Sequence, residues 1–170
     1  YEAVNKALTG AGGRWDRKAR AHIFDRDPRE VLGLAIETGQ ATNVRTQLQA
    51  FYTPPPLARR MVQEARPKHG QVVLEPSAGE GALVLAALQA AAVSVVMYDT
   101  DAVALERARS AADKVVLESG GSVRAELCDF LSVVPFAVDR VLMNPPFTGG
   151  ADIAHVTHAW KFLRPGGVLV

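Results

Sequence analysis

A chain of 170 residues, 48% of them apolar, holds enough hydrophobic material for one core and a small appendage, but not for two full domains. The net charge of +1 excludes a global field aimed at nucleic acid, yet ten Lys/Arg against six Asp/Glu fall in residues 1–60 and nine against twelve in the rest. A basic N-terminal third suits phosphate contacts, and equally a solvated surface. The single cysteine, Cys128, excludes an internal disulfide. No Cys/His cluster has zinc spacing, so no metal is expected, and no apolar run is long enough for a membrane span. A cytoplasmic location is the expectation.

Residues 1–50 read as a basic arm. Glycines at 10, 12 and 13 precede two short extended segments around Asp16–Lys18, with Trp15 and Phe24 interleaved among Arg14, Arg17, Lys18 and Arg20. Those four basic residues are the candidates for nucleic-acid contact. For Trp15 packing is the stronger expectation, and His22 has no evident partner. Asp27-Pro28-Arg29-Glu30 carries the signals of a helix start, with Gly39 as its stop and a polar connector over 40–50.

From Phe51 onward the pattern changes. Thr53 can cap a helix that accepts Pro54-Pro55-Pro56 in its first turn, with Leu57 and Met61 on one face. Strand-like runs at 71–75, 93–98, 123–127 and 138–143 alternate with helical runs at 82–91, 102–119 and 151–162. A fifth strand follows the turn Pro165-Gly166-Gly167. This alternation demands parallel strands with right-handed crossovers. The expected fold is α/β, a doubly wound, Rossmann-like sheet of mainly parallel strands in the order 3-2-1-4-5 counted from residue 71. The chain begins at Tyr1 and ends at Val170 inside a strand, which reads as a C-terminally truncated sheet.

Such a fold puts its site at the carboxyl ends of the strands. There stand Glu75, Asp99 and Asp129, and after the fourth strand Asn144-Pro145-Pro146-Phe147. The turn Pro76-Ser77-Ala78-Gly79-Glu80-Gly81 lacks the third small residue of a dinucleotide fingerprint, because the position three after Gly81 is Val84. An acid at the first strand end would repel a pyrophosphate. It suits a cofactor with hydroxyls, an amine and a positive charge, such as S-adenosylmethionine. Asp99 can then accept from ribose hydroxyls and Asp129 from an adenine amino group, although Glu75 and Asp129 can also be plain caps. Cys128 and Tyr98 read as core residues, and His155 and His158 as surface ones.

These residues carry a resemblance to a known family. Leu74–Gly81, Tyr98-Asp99-Thr100-Asp101, Cys128-Asp129-Phe130 and Asn144-Pro145-Pro146-Phe147 together resemble the class I S-adenosylmethionine-dependent methyltransferases, in particular the restriction-type adenine-N6 DNA methyltransferases. The resemblance runs from about Phe51 to the end. It implies a methyltransferase domain over 51–170, with S-adenosylmethionine as cofactor and S-adenosylhomocysteine as product. The implied cofactor contacts are Tyr52, Thr53, Pro54, Glu75, Pro76, Ser77, Ala78, Gly79, Gly81, Asp99, Thr100, Asp129, Phe130 and Asn144. The implied catalytic residues are Asn144, Pro145, Pro146 and Phe147. DNA is the implied partner, in a restriction-modification setting, with a specificity subunit or a further recognition region supplying the target sequence. Guanine N2 of ribosomal RNA or a protein glutamine amide are alternative acceptors, since those families carry similar Asn-Pro-Pro elements. A cofactor-binding adaptor without activity is a third reading.

Overall fold

The computed structural model describes residues 2–25, 27–38 and 53–170. The chain divides into two compact units, residues 1–51 and 52–170. In the first, helix α1 (Glu2–Gly10), which the sequence reading does not anticipate, is followed by an antiparallel hairpin of β1 (Arg14–Asp16) and β2 (Ala21–Ile23), then by α2 (Arg29–Thr38). Gly13 is required at the turn out of α1, because a Cβ there would lie 2.6 Å from the Leu8 carbonyl oxygen and 2.8 Å from the Phe24 ring. Asp16 shapes the hairpin turn by accepting from the backbone N–H of Lys18 and Ala19 at 2.8 and 2.7 Å. Asp27 accepts from the Arg29 N–H at 3.0 Å, as its place before α2 suggests. Gly39, Tyr52 and the connector over 40–50 lie outside the described residues, as does the side chain of Glu30.

The second unit is the alternating one. It runs α3 (Pro55–Ala65), β3 (Val72–Glu75), α4 (Ala82–Ala90), β4 (Ser94–Asp99), α5 (Ala102–Ser119), β5 (Ser122–Leu127), β6 (Val138–Val141), α6 (Ala151–Trp160) and β7 (Leu163–Leu169). The five strands of this unit are all parallel, in the order β5-β4-β3-β6-β7, which is the order expected from the sequence. Two more backbone bonds extend β6 past Val141, from Leu142 N–H to the Leu74 oxygen at 2.9 Å and from Met143 N–H to Val170 at 3.1 Å. Beyond Met143 the run meets Pro145 and Pro146, which have no N–H to give to a ladder. In β7, Val138 pairs with Leu163 but Arg140 pairs with Val168, so the Pro165-Gly166-Gly167 segment read as a turn is a bulge within the strand.

Alternation along the strands sorts the core into two layers. Val73, Val95 and Met97 face α3, α4 and α5, while Leu74 and Tyr98 face α6 and the aromatic residues beside it. The first layer is built on small residues, Ala104, Ala108 and Ala112 of α5 and Ala86 and Ala87 of α4, which lets helices approach closely. Burial of each large side chain, such as Leu88 or Leu74, contributes roughly 1.5–3 kcal/mol. On α3 the buried face is Ala58, Val62 and Ala65. Leu57, expected on one face with Met61, is 48% exposed because it falls about one residue off that stripe.

The opposite end of the sheet is locked by Asp139. Its carboxylate accepts from Val72 N–H at 2.8 Å and from Arg164 at 2.9 and 3.0 Å, tying the start of β3 to β6 and β7. The Val72 N–H, with help from Arg164, holds that carboxyl below its ordinary range. Two further expectations are corrected here. His155 is buried, its Nδ1 2.8 Å from the Ala151 oxygen, and His158 is half-buried with Nε2 2.9 Å from the Val133 oxygen, so both belong to the aromatic packing around Phe130 and Phe162. Cys128, expected in the core, is only partly buried.

Candidate cofactor and catalytic site

Parallel strands in the order β5-β4-β3-β6 bring their carboxyl ends to one edge of the sheet. Glu75 closes β3 and Asp99 closes β4; Asp129 follows β5 by two residues, and Asn144 follows the last ladder bond of β6. Backbone bonds knit three of these ends together. Ala78 N–H donates to the Tyr98 oxygen at 2.9 Å, Gly79 N–H donates to Asp99 Oδ2 at 2.7 Å, and Cys128 N–H donates to the Asp99 oxygen at 3.1 Å. Asp99 Oδ1 also accepts from Asp101 N–H at 2.8 Å. Asp99 is thus the residue that shapes the glycine turn. Backbone bonds to both oxygens fix the orientation of this carboxylate at the strand end.

The turn itself has a packing reason for its second glycine. Gly81 sits at φ +84°, and a Cβ there would lie 2.8 Å from Ala108 Cβ and 3.1 Å from its Cα. The glycine therefore lets α4 start against α5 rather than serving a phosphate. Gly81→Ala is expected to cost roughly 2–4 kcal/mol, combining left-handed backbone with overpacking. A denaturant titration reads it. Ala108→Gly in the same chain should recover the packing share and leave the backbone share.

Glu75 is 1% exposed, with Oε1 accepting from Ser77 N–H at 3.0 Å and Oε2 buried without a hydrogen-bond partner. Burial pushes its pKa up to about 8 against the Ser77 bond that lowers it, and the charge of Asp99 adds to the rise. A buried carboxyl with one oxygen lacking a partner is a ready acceptor for a cationic or hydroxylic donor. That is the observation against which a cofactor can be tested. S-adenosylmethionine, with an amine, ribose hydroxyls and a positive charge, fits a cradle of Glu75, the Ser77–Gly79 turn and Asp99.

The other anticipated contacts are distributed unevenly. Pro76 and Ala78 are buried under the turn, Ser77 and Gly79 are partly open, and Pro54 and Thr100 are exposed. Asp129 is exposed and caps the short 3-10 turn Phe130–Ser132 through its Oδ1 and Leu131 N–H at 2.9 Å, the plain cap that its sequence position also allowed. Phe130 is 2% exposed and packs among Tyr98, His155, His158 and Phe162. Its ring is taken up by the core, so the contact to a cofactor that the resemblance implies for Phe130 could come only from its backbone.

At the end of β6, Asn144, Pro145 and Pro146 are partly buried and Phe147 is 57% exposed. Thr53 does not cap α3: Pro54 holds the cap position without a side-chain bond. Instead Thr53 is buried and its Oγ1 accepts from Asn144 Nδ2 at 3.2 Å. No local signal in the sequence connects two residues 91 positions apart. Asp101 is a further residue whose part the reading left out, capping α5 by accepting from Val103 and Ala104 N–H at 3.0 and 3.2 Å. Its place two residues after a strand end and just before an alanine-rich run was the available signal. Arg14, Arg17, Lys18 and Arg20 are all exposed on the β1–β2 hairpin, where Trp15, half-exposed, meets His22 edge-on at 5.2 Å. His22, without an evident partner in the sequence, thus finds one directly across the hairpin.

A parallel sheet in this order with an acid-lined glycine turn at its carboxyl edge is the architecture of the class I S-adenosylmethionine-dependent methyltransferases. The sequence profile of the methyltransferase small domain matches residues 57–170, and the chain belongs to that family. Among solved structures it is similar to a Pyrococcus horikoshii protein described as a "putative RNA methyltransferase", with TM-score 0.58 and 26% identity over 77% of this chain and 69% of that one. It is also similar to a Thiobacillus denitrificans S-adenosylmethionine-dependent methyltransferase in complex with S-adenosylhomocysteine (TM-score 0.58, 20% identity, 74% of this chain and 52% of that one). A third likeness is to Trm5b of Pyrococcus abyssi, with TM-score 0.54 and 22% identity, covering 70% of this chain but only 34% of that one. The last two speak to fold alone. No curated protein matches the chain in sequence.

Proposed function

We propose that this domain transfers a methyl group from S-adenosylmethionine to the exocyclic amino group of a nucleobase, with adenine N6 of DNA as the first acceptor. The observation that carries the reading is Asn144, followed by two prolines and an exposed phenylalanine, beside a buried acid with an unsatisfied oxygen. When bound, S-adenosylmethionine supplies an electrophilic methyl on a sulfonium. Glu75, Asp99 and the backbone of Ser77–Gly79 hold and orient it.

The amino group is a weak nucleophile because its lone pair is delocalised into the ring. The Asn144 carbonyl oxygen and the Pro145 carbonyl accept from its two N–H bonds, which favours a pyramidal nitrogen and stabilises the positive charge that develops there. Alignment and exclusion of water supply the rest, so no strong base is needed. Phe147 offers a face for a base swung out of its helix.

A second reading, the same transfer to RNA, is favoured by the likeness to the Pyrococcus horikoshii protein described as a "putative RNA methyltransferase". Labelled S-adenosylmethionine offered with DNA, ribosomal RNA, transfer RNA and protein extract, followed by identification of the modified residue, separates these readings. N6-methyladenine in DNA supports the first. Label in an RNA amino group supports the second, label in a glutamine amide removes the nucleobase, and tight cofactor binding without transfer to any acceptor leaves an adaptor.

The basic hairpin is the proposed phosphate contact, and a specificity subunit or further recognition region would choose the target. Neutralising Arg14, Arg17 and Arg20 is expected to flatten the salt dependence of nucleic-acid binding by roughly 0.7–0.9 in log–log slope per lost phosphate contact. An unaltered slope would make the hairpin a structural element.

A further inference from the structure

An asparagine amide is a fork with an acceptor on one prong and two donors on the other. Which prong meets the substrate decides whether the site takes an amine or a carbonyl. Nothing in the Asn-Pro-Pro-Phe run itself settles that choice, because the amide rotates about its last side-chain bond. The choice is made by whatever holds the other prong.

In this domain Thr53 is such a partner. Its Oγ1 accepts from Asn144 Nδ2 at 3.2 Å, and the threonine is itself buried, at the entry to α3. We infer that Thr53 is a positioning residue: by taking the amide nitrogen it turns the Asn144 oxygen toward the substrate and so sets the site for an N–H donor. This rests on the proposed transfer to an exocyclic amine. It also moves Thr53 from the cofactor contact expected of it to a support for the acceptor side of the reaction.

The burial of Thr53 gives the tether its force. A hydroxyl in contact with bulk water would share the Asn144 nitrogen with solvent, whereas a buried one meets little competing water. With the nitrogen released, the amide would turn through its two orientations, and one of them presents N–H to N–H, a repulsive arrangement for an amine. Polar residues that support a ligating group in this way typically alter its function by about 10- to 100-fold when removed.

The test uses Thr53→Val, which keeps the shape and loses the hydroxyl, and Thr53→Ser, which keeps the hydroxyl. The first readout needs no activity. In the protein without cofactor, the side-chain amide resonances of Asn144, assigned by their loss in Asn144→Ala, are expected to shift and to exchange faster with water in Thr53→Val and to stay in place in Thr53→Ser. The second is methyl transfer, with kcat expected to fall about 10- to 100-fold in Thr53→Val, to return in Thr53→Ser, and with S-adenosylmethionine affinity held. Unmoved Asn144 resonances in Thr53→Val would overturn the inference. So would a weakened cofactor affinity with those resonances intact, which would return Thr53 to the cofactor. A wild-type protein that methylates no base would defeat the functional reading, while the resonances still decide the tether.

Discussion

Asn144→Ala is expected to abolish detectable methyl transfer while leaving S-adenosylmethionine bound. Removing one preorganised polar group that stabilises developing charge typically costs on the order of 10²–10³-fold in kcat, and here the same side chain also orients the amine. The separation between transfer and binding follows from the fold. Asn144 lies at the end of β6, whereas the acid-lined turn belongs to β3 and β4, and the residues that shape it, Gly79, Asp99 and Asp101, bond to one another. Truncating Asn144 to Ala removes the bond to Thr53 and leaves that network alone. Kinetics with saturating cofactor, beside calorimetric titration of cofactor binding, reads both halves. A variant that loses cofactor affinity in step with transfer would place Asn144 mainly in the cofactor site.

Glu75→Gln is expected to move stability and cofactor affinity in opposite directions. The Glu75 carboxyl ionises near 4.5 when the chain is unfolded but is held protonated to about 8 by burial in the folded domain. Between those two values the unfolded state releases a proton that the folded state keeps, so stability falls as pH rises from about 4.5 to about 8 and levels off beyond. Each pKa unit corresponds to about 1.4 kcal/mol, so the loss amounts to a few kcal/mol, on the order of 10 °C in melting temperature for a domain of this size. Gln cannot ionise, so this fall should flatten in the variant, which then melts above the wild type at pH 8 in the absence of cofactor. Affinity for S-adenosylmethionine is expected to fall in the same variant, because it lacks the charge that would meet a cationic donor at Oε2. Melting curves across pH, with and without cofactor, check both signs. A wild-type stability that is flat from pH 5 to 8 would contradict the account of Glu75.

The sheet was legible in the sequence because its strands are short apolar runs cut by glycine and proline, and the helical runs between them are rich in alanine. Helix α5 over Ala102–Ser119 was legible from its length and from Gly120 behind it, where the chain takes φ +75°. The edge of the site was legible for the same reason, since parallel strands place Glu75, Asp99 and Asn144 together whatever their side chains do. What could not be read were the partners chosen in three dimensions. Thr53 carries every local sign of a cap and bonds to Asn144 instead; Phe130 follows an acid as an adenine contact would and is buried among rings; His155 and His158 look like surface residues and pack against it. Each depends on a contact far away in sequence, and a period or a capping rule carries no information about that. Helix α1 was missed for a different reason: its apolar positions, Val4, Ala7 and Leu8, span barely two turns before the glycines at 10, 12 and 13, too short a run to announce a helix.

The central claim is that the carboxyl edge of this sheet binds a sulfonium nucleoside between Glu75 and Asp99, beside Asn144. A crystal structure of the protein with S-adenosylhomocysteine tests it most directly. The account predicts density against the Ser77–Gly79 turn, a donor of the ligand within hydrogen-bond distance of Glu75 Oε2, its ribose hydroxyls on Asp99, and the Asn144 nitrogen still on Thr53. A ligand bound elsewhere, or Glu75 Oε2 left without a donor in the complex, would contradict it.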